Sequence, residues 1–516
     1  MYELDSSLSK IARGAGIALI GTAIGLLFGF GVRLVIARYG ATADYGIFSL
    51  ALTVLNIAAM FSALGLSRGT TRYIAYFRGK GDAARVRSTI STSIKLSAAA
   101  SIVISIIVFL AAEPIASKVF HTPELALPLR IFAAGVPFFT LIHMLVSIFR
   151  GFDRIEPMVI FEYLILNVLF LGFLSLIVVG GMPITTLYYA YLVALVITFS
   201  ALAAYTARRL PRETGSASPS NNQPVTKELM WFSLPLLGVA MFHMIIGWTD
   251  TLMLGYFKTP EIVGLYNAAS PLGRFISEPL SALVLIYAPV ATGLFSRNKM
   301  SELKTTYAIS TKWLIFITMP IFLVLFLFPE AVLGLFFGAD YMPAAAALRI
   351  LSLGFIISNL LGPNGAMLLA MGHPRFLMWT NLAAAVLNIV LNILLIPPLG
   401  IVGAAIASAT SLTLINIIKV VKLYSLSRVQ PFSKNLLKPA IVCIVLAFLI
   451  QALALHFLVI TWWLLAVLFI VYLGIYGLAT LFTRSFDRGD VMLLLRIEKR
   501  LGVDLTKLKN VLSRFL

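Results

Sequence analysis

Arg33, Glu162, Asp250, Arg274, Glu278 and Arg349 stand inside long apolar runs. A charge at the centre of a membrane-spanning helix costs about 2.5–3.5 kcal/mol on insertion scales, so such residues normally face a cavity or a partner. Arg33 and Arg274 carry the clearest chemistry. A guanidinium fork donates two parallel hydrogen bonds, which suits a phosphate. Two such groups would make a cationic cavity for an anionic ligand. A structural reading stays open beside each. Arg274 can pair with Glu278, four residues on along the same helix face. Arg33 lies only a turn or two from the end of its run, where a long side chain snorkels to the interface. Arg130 and Arg349, also near the ends of runs, read as snorkelling residues.

A second constellation could hold a cation. Asp250 sits in a largely apolar run. Asn388 and Asn392 are four apart and so stack on one helix face, and Ser408 in the next run adds a hydroxyl. One carboxylate with neutral oxygens matches a monovalent hard cation, so these four are the candidate ion-coupling residues, for Na⁺ or H⁺. The alternative is that the asparagines join helices by hydrogen bonds. The five histidines (121, 143, 243, 373 and 456) show no ligand spacing, and the single cysteine, Cys443, permits neither an internal disulfide nor a cysteine metal site. No cofactor is expected, and no metal beyond a possible Na⁺.

The elements that must position these residues follow from composition. Of 516 residues, 60% are apolar and 12% charged, and mean hydropathy is +0.97. The outer layer of a soluble fold must be largely polar, so a soluble enzyme, a disordered chain and a nucleic-acid binder are excluded. The chain reads as an all-α polytopic membrane protein. A helix needs about 20 residues to cross the hydrocarbon. Fourteen apolar runs have that length, at 14–37, 45–66, 89–112, 129–149, 158–180, 184–207, 229–255, 263–293, 312–328, 344–371, 377–397, 401–421, 439–459 and 462–482. The first lacks a small-residue cleavage site and reads as a retained helix. With the N-terminus in the cytoplasm, segments on that side hold 32 of the 40 Lys+Arg and the outer loops hold 4. This asymmetry accounts for the net charge of +19 without nucleic acid. It predicts a multi-pass protein of the cell membrane with both termini cytoplasmic.

The longest internal polar stretch, around Arg208–Glu228, is rich in Ser, Pro, Asn and Gly and reads as a flexible linker. The sets of six runs on either side look related. Tyr45-Gly46-Ile47-Phe48 resembles Val263-Gly264-Leu265-Tyr266 at an interval of 218. Arg130 corresponds to Arg349 at 219, and Gly151 to Gly372 and Leu166-Asn167-Val168 to Leu387-Asn388-Ile389 at 221. Six spans is an even number, so the two lobes form a parallel repeat, a common transporter plan. The expected organisation is an N-lobe at 1–207, a cytoplasmic linker at 208–228, a C-lobe at 229–421, two extra helices within 422–482 and a cytoplasmic tail at 483–516. In that tail Leu494, Ile497, Leu501, Leu505, Leu508, Leu512 and Phe515 follow a helical spacing with basic residues on other faces. It reads as a basic amphipathic helix on the anionic inner leaflet, or else as a helix packed on the bundle.

The segment Arg33–Ala75 reads RLVIARYGATADYGIFSLALTVLNIAAMFSALGLSRGTTRYIA. Its pattern is an Arg, then Ala-Arg and Gly, a Tyr-Gly entering the second span, and Leu-Gly-Leu followed by Gly and Arg. It resembles the polysaccharide-synthesis branch of the multidrug/oligosaccharidyl-lipid/polysaccharide exporter superfamily. The resemblance implies a flippase, not an enzyme. It would carry a polyprenyl-(di)phosphate-linked oligosaccharide from the cytoplasmic to the outer leaflet by alternating access, driven by an ion or the membrane potential, for cell-surface polysaccharide or glycan synthesis. Its partners would be that lipid-linked sugar, membrane lipids and glycosyltransferases of the same pathway.

Comparison with the lipid II-flipping members implies roles for single residues. Arg33 and Arg274 would line the cavity, and the polar Glu278 and Asn56, which that comparison does not supply, are further candidates for its lining. Asp44 would stand at an outer gate, and Asp250, Asn388, Asn392 and Ser408 would hold the coupling ion. Where those members carry an arginine in the middle of the second span, this chain has Asn56, Ala58 and Ala59, which argues against lipid II as substrate. The alternative is a cation-coupled multidrug exporter of the same superfamily, although cationic drugs would favour carboxylates over arginines in the cavity. A membrane glycosyltransferase would need an acidic cluster or a sizeable exposed loop, and no DxD occurs.

Overall fold

The computed structural model describes residues 21, 23–214, 225–430, 441–446, 448–449, 452 and 462–482. Among them all regular structure is helical. The first described helix, α1, covers 23–39. It is followed by α2 (Thr42–Ser62), α3 (Leu66–Gly79), α4 (Ala83–Pro114), α5 (Ala126–Gly151), α6 (Leu166–Val179), α7 (Thr186–Thr214) and α8 (Thr226–Phe257). Then come α9 (Pro260–Arg274), α10 (Glu278–Ser296), α11 (Met300–Leu327), α12 (Pro329–Phe336), α13 (Ala345–Leu360), α14 (Asn364–Ala370), α15 (Pro374–Leu399), α16 (Ile401–Ser427) and α17 (Trp462–Phe482). A wider π-helical turn, Met158–Ile165, leads into α6.

Among the described residues ten helical stretches are long and apolar enough to cross a membrane, and they coincide with the second to sixth and eighth to twelfth expected runs. Helices α1, α8 and α17 fall in the first, seventh and fourteenth. Most of the thirteenth run, the polar N-terminus, residues 215–224 of the expected linker and the basic tail lie outside the described residues. The described residues divide into two compact units, one within Arg13–Gly264 and one within Leu265–Leu516.

In the first unit α1 packs on the fifth run through a glycine stripe. Side chains added at Gly21 and Gly25 would overlap Val159 and Tyr163, and one at Gly29 would touch Asn167. Three glycines spaced by four thus meet three residues spaced by four. Small residues at such an interface let two membrane helices approach closely. Inside the unit Phe48 of α2 meets Phe132 of α5, Phe170 of α6 and Tyr191 of α7, with centroids 6.0, 6.0 and 6.3 Å apart. Buried aromatic sets of this kind anchor cores through area and ring geometry. Helix α8 belongs to this unit and packs against α2 and α3. There the Arg72 guanidinium lies 4.0 Å from the centre of the Phe232 ring.

The second unit is centred on α13, α15 and α16. Gly354 of α13 lies against Ala409 of α16, and Asn416 donates to the Ser358 hydroxyl at 2.9 Å. Helices α15 and α16 turn about Gly400, whose φ of +56° suits a residue without a Cβ.

Two apolar runs that read as continuous are broken, and a third is cut short by a turn. The second ends at α2, and α3 follows after a turn in which Leu64 and Gly65 have φ of 50° and 71°. The close approach of Gly65 and Gly69 to Ser233 of α8 explains the Leu-Gly-Leu-x-x-Gly spelling, because a Cβ at either would strike Ser233. The eighth run splits into α9 and α10, and the tenth into α13 and α14. Each split frees carbonyls, and in hydrocarbon a freed carbonyl needs a protein partner. Asn359 of α13 donates to the Ile276 carbonyl at 2.7 Å, and the Tyr307 hydroxyl of α11 donates to the Leu361 carbonyl at 2.6 Å. The expected linker is also shorter, since α7 continues to Thr214 and α8 starts at Thr226. Polar residues end a hydropathy run without ending a helix.

Candidate functional site

Arg33 projects from α1 and is half-buried. Its guanidinium is hydrogen-bonded to the hydroxyl of Tyr45, a buried residue in the first turn of α2. Asp44, one residue earlier, accepts a hydrogen bond from the Ala41 backbone N–H at 2.9 Å. A carboxylate in that place caps the helix and complements its dipole. It also lies near enough to the Tyr188 hydroxyl of α7 for the two to interact. Asn56 donates to the Leu52 carbonyl within its own helix at 2.7 Å. Asp250 is buried on α8. These four candidates all fall in the first unit.

The remaining candidates fall in the second. Arg274 is the last residue of α9 and Glu278 the first of α10, on the two sides of the break. A cation at a helix C-terminus and a carboxylate at an N-terminus are each favoured by the local dipole. Arg274 is exposed, Glu278 is half-buried, and their charges interact. On α15, Asn388 donates to the Ser408 hydroxyl of α16 at 3.2 Å, and Asn392 donates to the Asn388 side-chain oxygen at 3.1 Å. The structure therefore brings Asn388, Asn392 and Ser408 into one chain of hydrogen bonds, with both asparagines buried.

Two features lay beyond the sequence reading. The first is a cluster at the start of the fifth span. Glu162, presented by the π-helical turn, accepts from His143 Nδ1 of α5 at 2.7 Å, and its second oxygen lies 3.9 Å from Arg150. His143 and Glu162 are 19 positions apart, so no local spacing signals the pair; the only hint is a carboxylate placed in an apolar run. The second concerns Arg130 and Arg349. Both are paired rather than simply extended to the interface, Arg130 with Glu113 at 3.3 Å and Arg349 with Glu330 at 3.0 Å. The same pairing thus occurs once in each unit, at an interval of 217 for the acids and 219 for the arginines.

The 218-residue correspondence has a structural counterpart within the first unit. A methyl group on Gly46 would overlap the Pro260 carbonyl oxygen, and one on Gly264 would overlap the Thr42 carbonyl oxygen. The contact is reciprocal, and Thr42 and Pro260 are themselves 218 apart.

Comparison with known proteins decides the family. The polysaccharide biosynthesis protein family matches residues 11–295. The chain belongs to that family. Within the multidrug/oligosaccharidyl-lipid/polysaccharide exporter superfamily it is a multi-pass membrane transporter of the polysaccharide-synthesis branch, and the MatE family matches residues 235–394. An uncharacterized membrane protein of Methanocaldococcus jannaschii is 23% identical over 77% of this chain and 81% of its own. The probable low-salt glycan biosynthesis flippase Agl15 of Haloferax volcanii is 27% identical over 31% of this chain and 34% of its own. Among solved structures, the lipid II flippase MurJ in an inward closed conformation superposes with a TM-score of 0.68 at 16% identity, over 90% of this chain and 98% of that one. This family member therefore has the fold shared by such flippases and multidrug transporters.

Proposed function

We propose that this transporter flips a polyprenyl-(di)phosphate-linked oligosaccharide from the cytoplasmic to the outer leaflet by alternating access, for cell-surface glycan synthesis. The observation that supports this most directly is a guanidinium in an apolar run of each unit, Arg33 beside Tyr45 and Arg274 beside the α9–α10 break, in a chain of the polysaccharide-synthesis family. Guanidinium groups recognise phosphate bidentately. The polyprenyl tail stays in lipid, so only the sugar–phosphate head needs shielding from hydrocarbon. Each negative charge moved outward from a negative interior gains about 2.3 kcal/mol per 100 mV, and two gain about 4.6. No covalent chemistry is required.

The orientation belongs to the same reading. The 32 to 4 distribution of Lys+Arg supports cytoplasmic termini. Asn56 would face the head group and Asp44 would close the outer side. A returning Na⁺ or H⁺ would use Asp250, Asn388, Asn392 and Ser408 to reset the carrier.

The test is translocation of a lipid-linked sugar in reconstituted vesicles. The double substitution Arg33→Ala with Arg274→Ala is expected to abolish it, and unchanged translocation would refute the phosphate-binding role. A second reading, a cation-coupled multidrug exporter, draws on the match of the MatE family to residues 235–394 and on the buried Asp250 carboxylate. Under that reading the double substitution leaves drug efflux intact and Asp250→Asn abolishes it.

A further inference from the structure

One cavity in the first unit belongs to none of the residues assigned above. It has a volume of about 640 Å³ and is lined by Phe161, Ala201, Ala204, Tyr205, Arg208 and Arg209. That volume is typical of small-molecule sites, which run from about 300 to 1,000 Å³. Its chemistry is graded along α7. The alanines leave room beside the helix. Tyr205 forms an aromatic floor with Phe149 and Phe161, at 5.4 and 5.5 Å between centroids. The two arginines close the far end, and the Arg209 guanidinium stands 5.9 Å from the centre of the Tyr205 ring. Residues 201, 205 and 209 share one face of the helix, as do 204 and 208. At 1.5 Å per residue the apolar end and the cationic end are separated by about 12 Å.

The lining of this cavity holds two cations and no carboxylate. Arg208 and Arg209 are both exposed. Three other arginines near the ends of spans do face carboxylates, Arg78 with Asp153, Arg130 with Glu113 and Arg349 with Glu330. An apolar slot that deepens into the span and ends in two exposed guanidinium groups has the shape and charge of the complement to an anionic amphiphile. Basic pockets between membrane helices on the cytoplasmic side bind lipid head groups for the same reason, and guanidinium forks grip phosphate oxygens in pairs.

We infer that the cavity between the fifth and sixth spans is a binding site for an anionic phospholipid of the adjoining leaflet. Its head-group phosphate sits on Arg208 and Arg209, and the upper part of one acyl chain lies along Ala204, Ala201 and Phe161. The inference does not depend on the transported substrate. The positive-inside count assigns this end of α7 to the cytoplasmic leaflet.

The experiment uses the full chain purified in detergent and supplied with phosphatidylglycerol or phosphatidylcholine. Bound lipid is read by native mass spectrometry, and inorganic phosphate serves as the head-group control. Wild type should retain phosphatidylglycerol in preference to phosphatidylcholine. Arg208→Gln with Arg209→Gln should weaken that retention by about 25-fold, at roughly fivefold per arginine near an anionic surface. Ala204→Leu keeps both charges and fills the slot, and it should weaken retention as well. Arg297→Gln with Lys304→Gln, which removes two basic residues elsewhere, should leave retention unchanged.

Equal retention of the two lipids by wild type would overturn the site, even if the arginine variant fails to fold. So would unaltered retention in both cavity variants. If inorganic phosphate displaces phosphatidylglycerol at millimolar concentration, the site is a plain anion site and the lipid assignment fails.

Discussion

Single residues show why a charge inside a membrane helix has to be read with its surroundings. The carboxylate of Asp44 caps α2, and the amide of Asn56 bonds within its own helix, so each has a structural task whatever it does in transport. Glu162 holds His143 and faces Arg150 across 3.9 Å. A hydrogen bond to a charged group contributes about 1.5–3 kcal/mol, and the partial exposure of His143 puts this pair at the lower end. Glu162→Leu should therefore lower the thermal unfolding temperature in detergent, with Glu162→Gln between it and wild type because the amide oxygen still accepts from His143. An E162L variant that melts with wild type would show that the pair adds nothing to stability. For the ion-coupling residues, the Ser408–Asn388–Asn392 chain is compatible with both readings, since the same oxygens can join helices or hold a cation. Asn388→Ala with Asn392→Ala separates them. Loss of Na⁺- or pH-dependence of translocation with little change in melting points to coupling, and the reverse to packing.

At the scale of elements, the breaks are the informative feature. The α9–α10 break is held by the amide of Asn359 on the Ile276 carbonyl. Removing that donor leaves a carbonyl unsatisfied in an apolar surrounding, at a cost of about 1–3 kcal/mol. Asn359→Ala should therefore destabilise the full chain measurably. It should also disturb the placement of Arg274 and Glu278, so transport should fall further than stability alone requires. Transport at the wild-type level in a stably folded N359A protein would separate the break from the site. Helix contacts through glycine make an equally direct prediction. Gly25 meets the Tyr163 Cβ, and at Gly46 the neighbouring backbone of Pro260 cannot move aside as a flexible side chain can. Overpacking costs about 1–3 kcal/mol, so Gly25→Val and Gly46→Val should each lower the melting temperature. The effect at Gly46 should be the larger, because its obstacle is backbone.

At the scale of the whole molecule, the charge asymmetry yields a topology that labelling can test. In a Cys443→Ser background, a cysteine at Met182 should react with a membrane-impermeant maleimide in intact cells. One at Asp153 should react only after permeabilisation. The opposite pattern would invert the protein and move the Arg208–Arg209 cavity to the other leaflet. The expected repeat also concerns the whole chain. Glu113–Arg130 and Glu330–Arg349 form the same ion pair in separate units, and Thr42–Gly46 and Pro260–Gly264 approach each other reciprocally. These pairs recur at intervals of 217 to 219 residues, as a repeat of the two lobes would require.

What the sequence determined by itself is set by quantities that add along the chain. Hydropathy summed over about 20 residues places the candidate spans, and Lys+Arg counts in the loops give an expected orientation, because insertion into a bilayer responds to such sums. The expected runs from the second to the sixth and from the eighth to the twelfth all contain helical stretches long and apolar enough to span. The motif Leu64-Gly65-Leu66 was visible too, although not the reason for it. Only the tertiary structure decided where those helices break, that Glu162 meets His143, that Arg130 and Arg349 have carboxylate partners, and that Ala201, Ala204 and Tyr205 leave a slot ending in two arginines. Hydrogen bonds and cavities depend on which faces of distant segments meet. A hydropathy profile averages over those faces, so it records that a carboxylate lies in a span and is silent about what stands across from it.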